Sequence, residues 1–398
     1  MIQYCNITLS CHTMCRVNTD IDFYPPLCRT FPMMLDFTVN LNSLGFECGL
    51  SENEKELIFL RARANGLTVC GCVHAAFLCK LAYSLSIGLP RQIEDVDMVL
   101  LPSNISKKGK GLTVGVLGGG HIGKQLVQVL LEKNGLKPSQ INISSRRPET
   151  LEEFVKRGIM CYFDNQRLVA WADVLFLCCL PSHLSKVCAE LQSHLPKHCL
   201  VYSFLSAVPL NRLAQLLGHS FILKPQYEFV ACDSVNMWLS RGHVTAALKD
   251  PEVIDASCPL AMRGGLCLDP KWLFGLLYSL LNMCTAANVG STEALGLINE
   301  LFQLKGPGTV AFILNNFVHS SYASSLTPDE SFPWINLVDV QSKETPLSCF
   351  ISRNNSMQGC LSALYNSVMV DPLKGKKEPG KPKDGTLSVI TPSHCKKI

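Results

Sequence analysis

The 398-residue chain has little charge, 17%, and few aromatics, 8%, against 47% hydrophobic residues. That balance excludes a disordered polyelectrolyte and fits a globular protein large enough for more than one buried core. A basic body is also missing. Residues 371–398 hold seven lysines against three acids, which accounts for the whole formal charge of +4. The remaining chain is formally neutral and lacks the basic face that nucleic-acid binding requires. None of the 20 cysteines forms a C-x-x-C pair, so a zinc ribbon is not expected and no metal site is predicted. Many lie in apolar runs (Cys70, Cys72, Cys79, Cys178, Cys179), as free thiols buried in a reducing cytosol would. Met1–Asn6 has no basic segment followed by an apolar run, so a signal peptide is not expected and a cytoplasmic location is. Unbroken apolar spans are absent too. Leu67–Leu89 is interrupted by His74, Lys80, Ser84 and Ser86, and Trp272–Val289 contains Asn282, Thr285 and Asn288. Both read as buried or oligomer-interface helices rather than bilayer spans, which leaves a homo-oligomer through the helical part as an expectation and a membrane partner as none. No Ser/His/Asp or Cys/His order and no carboxylate pair stands out.

What is present is an alternation. From residue 112 short apolar strands take turns with helical patterns: strands at 112–117, 140–144, 158–163, 173–180, 199–203 and 221–224, and helices near 121–133, 149–157, 165–171, 183–193 and 209–217. The run Asp173–Leu180 is almost wholly apolar, as in a strand covered on both faces. The pattern predicts an α/β fold with a doubly wound parallel Rossmann sheet, followed by a smaller helical domain. The expected division is a partly helical extension over 1–110, a nucleotide-binding domain over 111–230, a mainly helical domain over 231–345 and a disordered lysine-rich tail over 346–398. In the extension, Ser51-Glu52-Asn53-Glu54 starts a helix through about Ala64 and a second covers Val69–Leu85. Ser103–Gly111 reads as a linker, and Pro270–Asn288, Ser291–Leu304 and Pro307–Ser325 as the later helices.

The first strand runs into Gly118-Gly119-Gly120-His121-Ile122-Gly123, a G-x-G-x-x-G turn opening a helix. The first glycine permits the turn, the second lets backbone approach a pyrophosphate, and the third lets helix pack on strand. His121 and Ile122 contribute backbone N–H groups at the helix start. One helix later the second strand ends in Ser144-Ser145-Arg146-Arg147, where an NAD site usually carries an acid for the ribose 2′-hydroxyl. Hydroxyls and guanidinium groups suit a 2′-phosphate, so NADP(H) is favoured over NAD(H); an ordinary solvated turn is the alternative. Loops at 118–121, 144–148, 180–183 and 204–208 are expected to converge on one crevice, adding Leu180 and Pro181 to the cofactor contacts. His183, after the fourth strand, is a candidate proton donor, or else an exposed residue of a helix's first turn, with Ser182 as that helix's cap.

Val114–Gly123, Ser144–Pro148, Ala172–His183 and Val201–Val208 together resemble the nucleotide domain of the pyrroline-5-carboxylate reductases. The resemblance covers roughly residues 112–230 and implies reduction of a cyclic imine with NAD(P)H; the whole chain is similar to a divergent branch. Departures accompany it. The family's Val-Lys-Pro is Cys179-Leu180-Pro181 here, and its Met-Pro-Asn-Thr-Pro is Lys224-Pro225-Gln226-Tyr227-Glu228. Its Ser-Gly-Ser-Gly-Pro-Ala-Tyr has only an echo in Gly306–Phe312, and its late Ser-Pro-Gly-Gly-Thr-Thr loop is missing. By alignment alone, Tyr227 and Thr309 become acid candidates. Two expectations follow: an NADPH-dependent reductase of a small imine or carbonyl compound, or a catalytically silent NADP-binding or interaction protein.

Overall fold

A computed structural model of the chain describes residues 51–89, 111–230, 236–239, 243–302 and 310–370. The extension before 51, most of the expected linker, Thr309 and residues 371–398 lie outside them. A long helix, α1 (Glu52–Gly88), precedes the sheet. Then β1 (Val114–Leu117), α2 (His121–Lys133), β2 (Ile141–Ser144), α3 (Glu152–Lys156), β3 (Met160–Tyr162), α4 (Asn165–Trp171) and β4 (Val174–Leu177) follow. The series continues with α5 (Leu184–Leu191), β5 (Leu200–Ser203), α6 (Leu210–Leu217) and β6 (Ile222–Leu223).

The six strands pair in parallel in the order β3-β2-β1-β4-β5-β6, the strand order of a Rossmann sheet. Burial follows the period of two. Val114, Val116, Val174, Phe176, Leu200 and Tyr202 face one core, while Leu117, Leu175, Leu177 and Val201 face another with α4, α5 and α6. The first core is continuous through α1 and α2 into the helical part. That apolar coverage of both faces is why the central strands read as unbroken hydrophobic runs.

The expected pair of helices before the sheet is one helix of 37 residues, about 55 Å long. Glu54 accepts the Ser51 backbone N–H at 2.8 Å and starts it. Periodicity fades after Ala64 because the helix passes from an exposed first third to a segment buried on all sides, from Val69 to Leu85. Glu56–Gly88 is long and apolar enough to cross a membrane by composition, and most of that window is buried here. Asn134, at the end of α2, donates to the Ala76 carbonyl of α1 at 2.8 Å.

After β6 the chain forms an antiparallel pair that the sequence reading missed, β7 (Tyr227–Phe229) with β8 (Leu266–Leu268), separated by α7 (Val244–Ala247) and α8 (Pro251–Ala256). Helices α9 (Lys271–Ala286) and α10 (Ser291–Leu301) come next. The expected helix at Pro307–Ser325 is reduced, within the described residues, to α11 (Leu314–Phe317) and α12 (Ser320–Ala323), followed by α13 (Leu337–Val340). The tail expected to be irregular from 346 is corrected at its start: α14 (Pro346–Arg353) and α15 (Asn355–Val370) are helices. Thr345 caps α14, and Leu361, Leu364, Tyr365 and Met369 are buried in the core shared with α1. Polar residues between these positions mask the helical period when the segment is read without its partner.

Candidate nucleotide-binding site

The glycine turn is built as its spacing requires. Gly118 has φ +114°, open to glycine and costly for other residues, and a methyl group there would lie 2.7 Å from the Cys178 carbonyl oxygen. A methyl group on Gly123 would lie 2.0 Å from the Gly118 carbonyl oxygen, so helix and turn can touch because Gly123 has no side chain. Gly120 differs. It is the N-cap of α2 and is exposed, no side chain caps it, and an added methyl would meet nothing within 4 Å. The first intrahelical bond runs from Lys124 N–H to Gly120 O at 3.0 Å. The N–H groups of His121, Ile122 and Gly123 therefore have no helical partner, and the helix dipole adds its positive end there. His121 is exposed and Ile122 half-buried, consistent with backbone roles.

The turn after β2 lies beside the glycines: Ser145 Oγ is 3.0 Å from where a methyl group on Gly119 would sit. Ser145 Oγ accepts the Arg147 N–H at 3.3 Å. Arg146 and Arg147 are exposed, and neither guanidinium has a hydrogen bond or ion pair among the described residues. Ser144 is a correction. It is 1% exposed, and its hydroxyl donates to Asn165 Oδ1 at 2.7 Å, so it ties β2 to α4 rather than facing the crevice. Lys124 reaches across to the Thr150 carbonyl at 2.8 Å and fixes α2 against the second turn.

On the other half of the sheet the nominated residues scatter. Leu180 is exposed, at the end of the loop from β4, and Pro181 opens a short 3-10 turn, Pro181–His183. Ser182 sits inside that turn and does not cap α5. His183 is half-buried with no side-chain hydrogen bond. Tyr227 bonds to His74 of α1 at 2.8 Å. His74 Nε2 lies 2.7 Å from the Ser257 carbonyl, which can only accept, so Nε2 carries the proton and the Tyr227 hydroxyl donates to Nδ1. Burial lowers the His74 imidazole to about 4 and holds the Tyr227 phenol well above its usual range. Ser257 Oγ donates to the Ile254 carbonyl at 2.8 Å, so the Tyr365 hydroxyl donates to Ser257 at 2.8 Å. This internal chain leaves Tyr227 committed to α1 as a donor.

Two polar residues of this region lie outside the sequence expectations. In the sequence His74 is no more than a break in an apolar run. Lys224, at the carboxyl end of β6, is 5% exposed, and its ammonium has one long bond, 3.4 Å to the Ser206 carbonyl. Burial lowers its pKa. Its place just after a parallel strand was the available signal, since ligands gather at those ends.

Residues 113–206 match the family model described as NADP oxidoreductase, coenzyme F420-dependent, so this segment is a domain of the NAD(P)-dependent oxidoreductase type. Among curated proteins, mouse "NADP-dependent oxidoreductase domain-containing protein 1" is 43% identical over 345 residues, covering 84% of this chain and 93% of the relative. The chain belongs to that family. It is also a divergent relative of the pyrroline-5-carboxylate reductases. The Escherichia coli enzyme is 31% identical over 107 residues, 27% of this chain, and the chain spans 40% of that enzyme's length. Among solved structures, pyrroline-5-carboxylate reductase from Coxiella burnetii aligns at 16% identity, covering 65% of this chain and 96% of that one, with a TM-score of 0.28.

Proposed function

We propose that the protein is an NADPH-dependent reductase that delivers hydride to a small imine or carbonyl substrate. One observation carries the cofactor half of this reading: an uncapped helix start with open space at Gly120 lies beside a turn whose Ser145, Arg146 and Arg147 include no acid. The N–H groups of His121–Gly123 would hold the pyrophosphate, and Ser145 with the two arginines the 2′-phosphate. Leu180 and Pro181 would border the nicotinamide half. The reduced nicotinamide supplies the hydride when bound. The chain's part is to orient it and keep water away. The kinship with pyrroline-5-carboxylate reductases supports C=N or C=O reduction as a class. The replaced Val-Lys-Pro and Met-Pro-Asn-Thr-Pro segments argue against adopting that enzyme's substrate.

A second reading, a cofactor-binding protein without turnover, is favoured by a separate observation. Of the described acid candidates, Tyr227 is spent on His74 and His183 is held by no partner. Fluorescence titration of the purified protein with NADPH and NADH tests the shared premise. NADPH should bind at micromolar levels and more tightly than NADH; failure of both to bind below millimolar removes both readings. Cofactor oxidation over a panel of imines and ketones separates them.

A further inference from the structure

Lys224 is a buried cation without an anion among the described residues. Its side chain is enclosed, no carboxylate of the described residues lies within ion-pair distance, and its one side-chain hydrogen bond among them, to Ser206 O, is long. Taking an ammonium out of water with so little return is costly unless something else pays part of that cost. The surroundings are donor-rich. Lys224 lines a small, open cleft with room for about one oxygen-sized group, together with Gln226, Lys271, Trp272, Asp269 and Gln341. Gln341 is used up: its Oε1 accepts the Lys224 backbone N–H at 3.0 Å, and its Nε2 donates to the Ile222 and Leu337 carbonyls. The other donors are not. The Gln226 amide, on an exposed residue, and the Lys271 ammonium have no side-chain partner among the described residues, while the buried Trp272 indole N–H faces the Tyr202 phenol. The single acid, Asp269, accepts the Lys271 backbone N–H at 2.9 Å and so serves the start of α9.

The cleft opens at the carboxyl end of β6, beside the loop after β5, on the same end of the sheet as the glycine turn. It lies three strands from β1, about 14 Å across the sheet, so it is distinct from the pyrophosphate turn. We propose that this cleft is an oxyanion site that holds one carboxylate or phosphate group of a small molecule on Lys224, with Lys271 and Gln226 completing the contact. The ligand fits the unmet donors and neutralises the buried charge. The site needs no nicotinamide, so it stands or falls separately from the reductase reading.

Calorimetric titration of the full chain with inorganic phosphate and with acetate, at matched ionic strength with chloride as control, tests it. One of the two should bind saturably while chloride does not; the tighter probe identifies phosphate or carboxylate as the natural group. Lys224→Met should weaken that binding at least tenfold, and Lys271→Met or Gln226→Leu by a smaller factor. Should Lys224→Met fail to fold, the indole N–H resonances provide a second measurement. The chain has four tryptophans, and the Trp272 signal, assigned with Trp272→Phe, should move on titration while the other three stay. Equal responses to all three anions, unchanged affinity in Lys224→Met, or a stationary Trp272 signal would overturn the proposal. NADPH binding that fails while anion binding persists removes the reductase reading and leaves this one intact.

Discussion

The two halves of the Rossmann sheet differ in what they leave open. Around β1 and β2, backbone groups are exposed and side chains stand back: Gly120 meets empty space, and the guanidinium groups of Arg146 and Arg147 have no partner among the described residues. Around β5 to β7, polar side chains are turned inward: Tyr227 donates to His74, Lys224 is enclosed, and Phe176, Tyr202 and Phe204 pack ring to ring at 5.3–6.2 Å. The first half keeps the geometry of a dinucleotide site because local backbone constraints define it. The second half depends on packing between segments far apart in the chain, which fixes its polar side chains on one another.

The largest effect expected from breaking this contrast is at Gly123. Gly123→Val puts a side chain onto the Gly118 carbonyl and should cost at least about 3 kcal/mol of stability together with NADPH binding, measured by thermal unfolding and fluorescence titration. A stable variant with intact binding would mean that the turn and helix are not in contact.

Next comes the inward-turned half. With His74 lowered to about 4 from an ordinary 6.5, the unfolded chain binds a proton between those values and the folded chain does not. Stability is therefore full above pH 6.5 and falls as pH drops toward 4, by roughly 3 kcal/mol from this group. His74→Gln should flatten that slope in denaturant titrations. His219, also lowered by burial, remains in both proteins and cancels in the comparison. Equal slopes in the two proteins would show that His74 is protonated in the fold.

Changing Arg146 and Arg147 together to alanine should weaken NADPH by about 1–3 kcal/mol and leave NADH nearly unchanged. An equal loss for both cofactors would reassign the pair to general electrostatics. The smallest effect on the fold and the sharpest on the ligand is expected from Gly120→Ala. Stability should stay within about 0.5 kcal/mol, because the methyl meets nothing, while NADPH affinity falls as the methyl takes the space of the phosphate. Unchanged affinity would place the pyrophosphate elsewhere.

The succession of strands and helices and the glycine turn were legible because each rests on short-range rules: a period of two, a period of 3.6 and a fixed glycine spacing. The prediction of helices at 121–133 and 165–171 matches α2 and α4 for that reason. The continuity of α1, the β7–β8 pair and the helices at 346–370 were not legible. Each is stabilised by partners far along the chain, as in the pairing of Tyr227 with Leu268 and the packing of α15 on α1. Ser144 and Ser145 make the point within one turn. The sequence treats them alike, but a partner 21 residues away buries one and leaves its neighbour beside the glycines.

By itself, then, the amino-acid sequence determined the nucleotide-binding half, since backbone sterics and strand periodicity act between neighbours. Only the tertiary structure decided the fate of His74, Tyr227 and Lys224. Whether a polar side chain is satisfied, enclosed or left to meet a ligand depends on which distant segment packs against it, through desolvation and hydrogen bonds that no local pattern records.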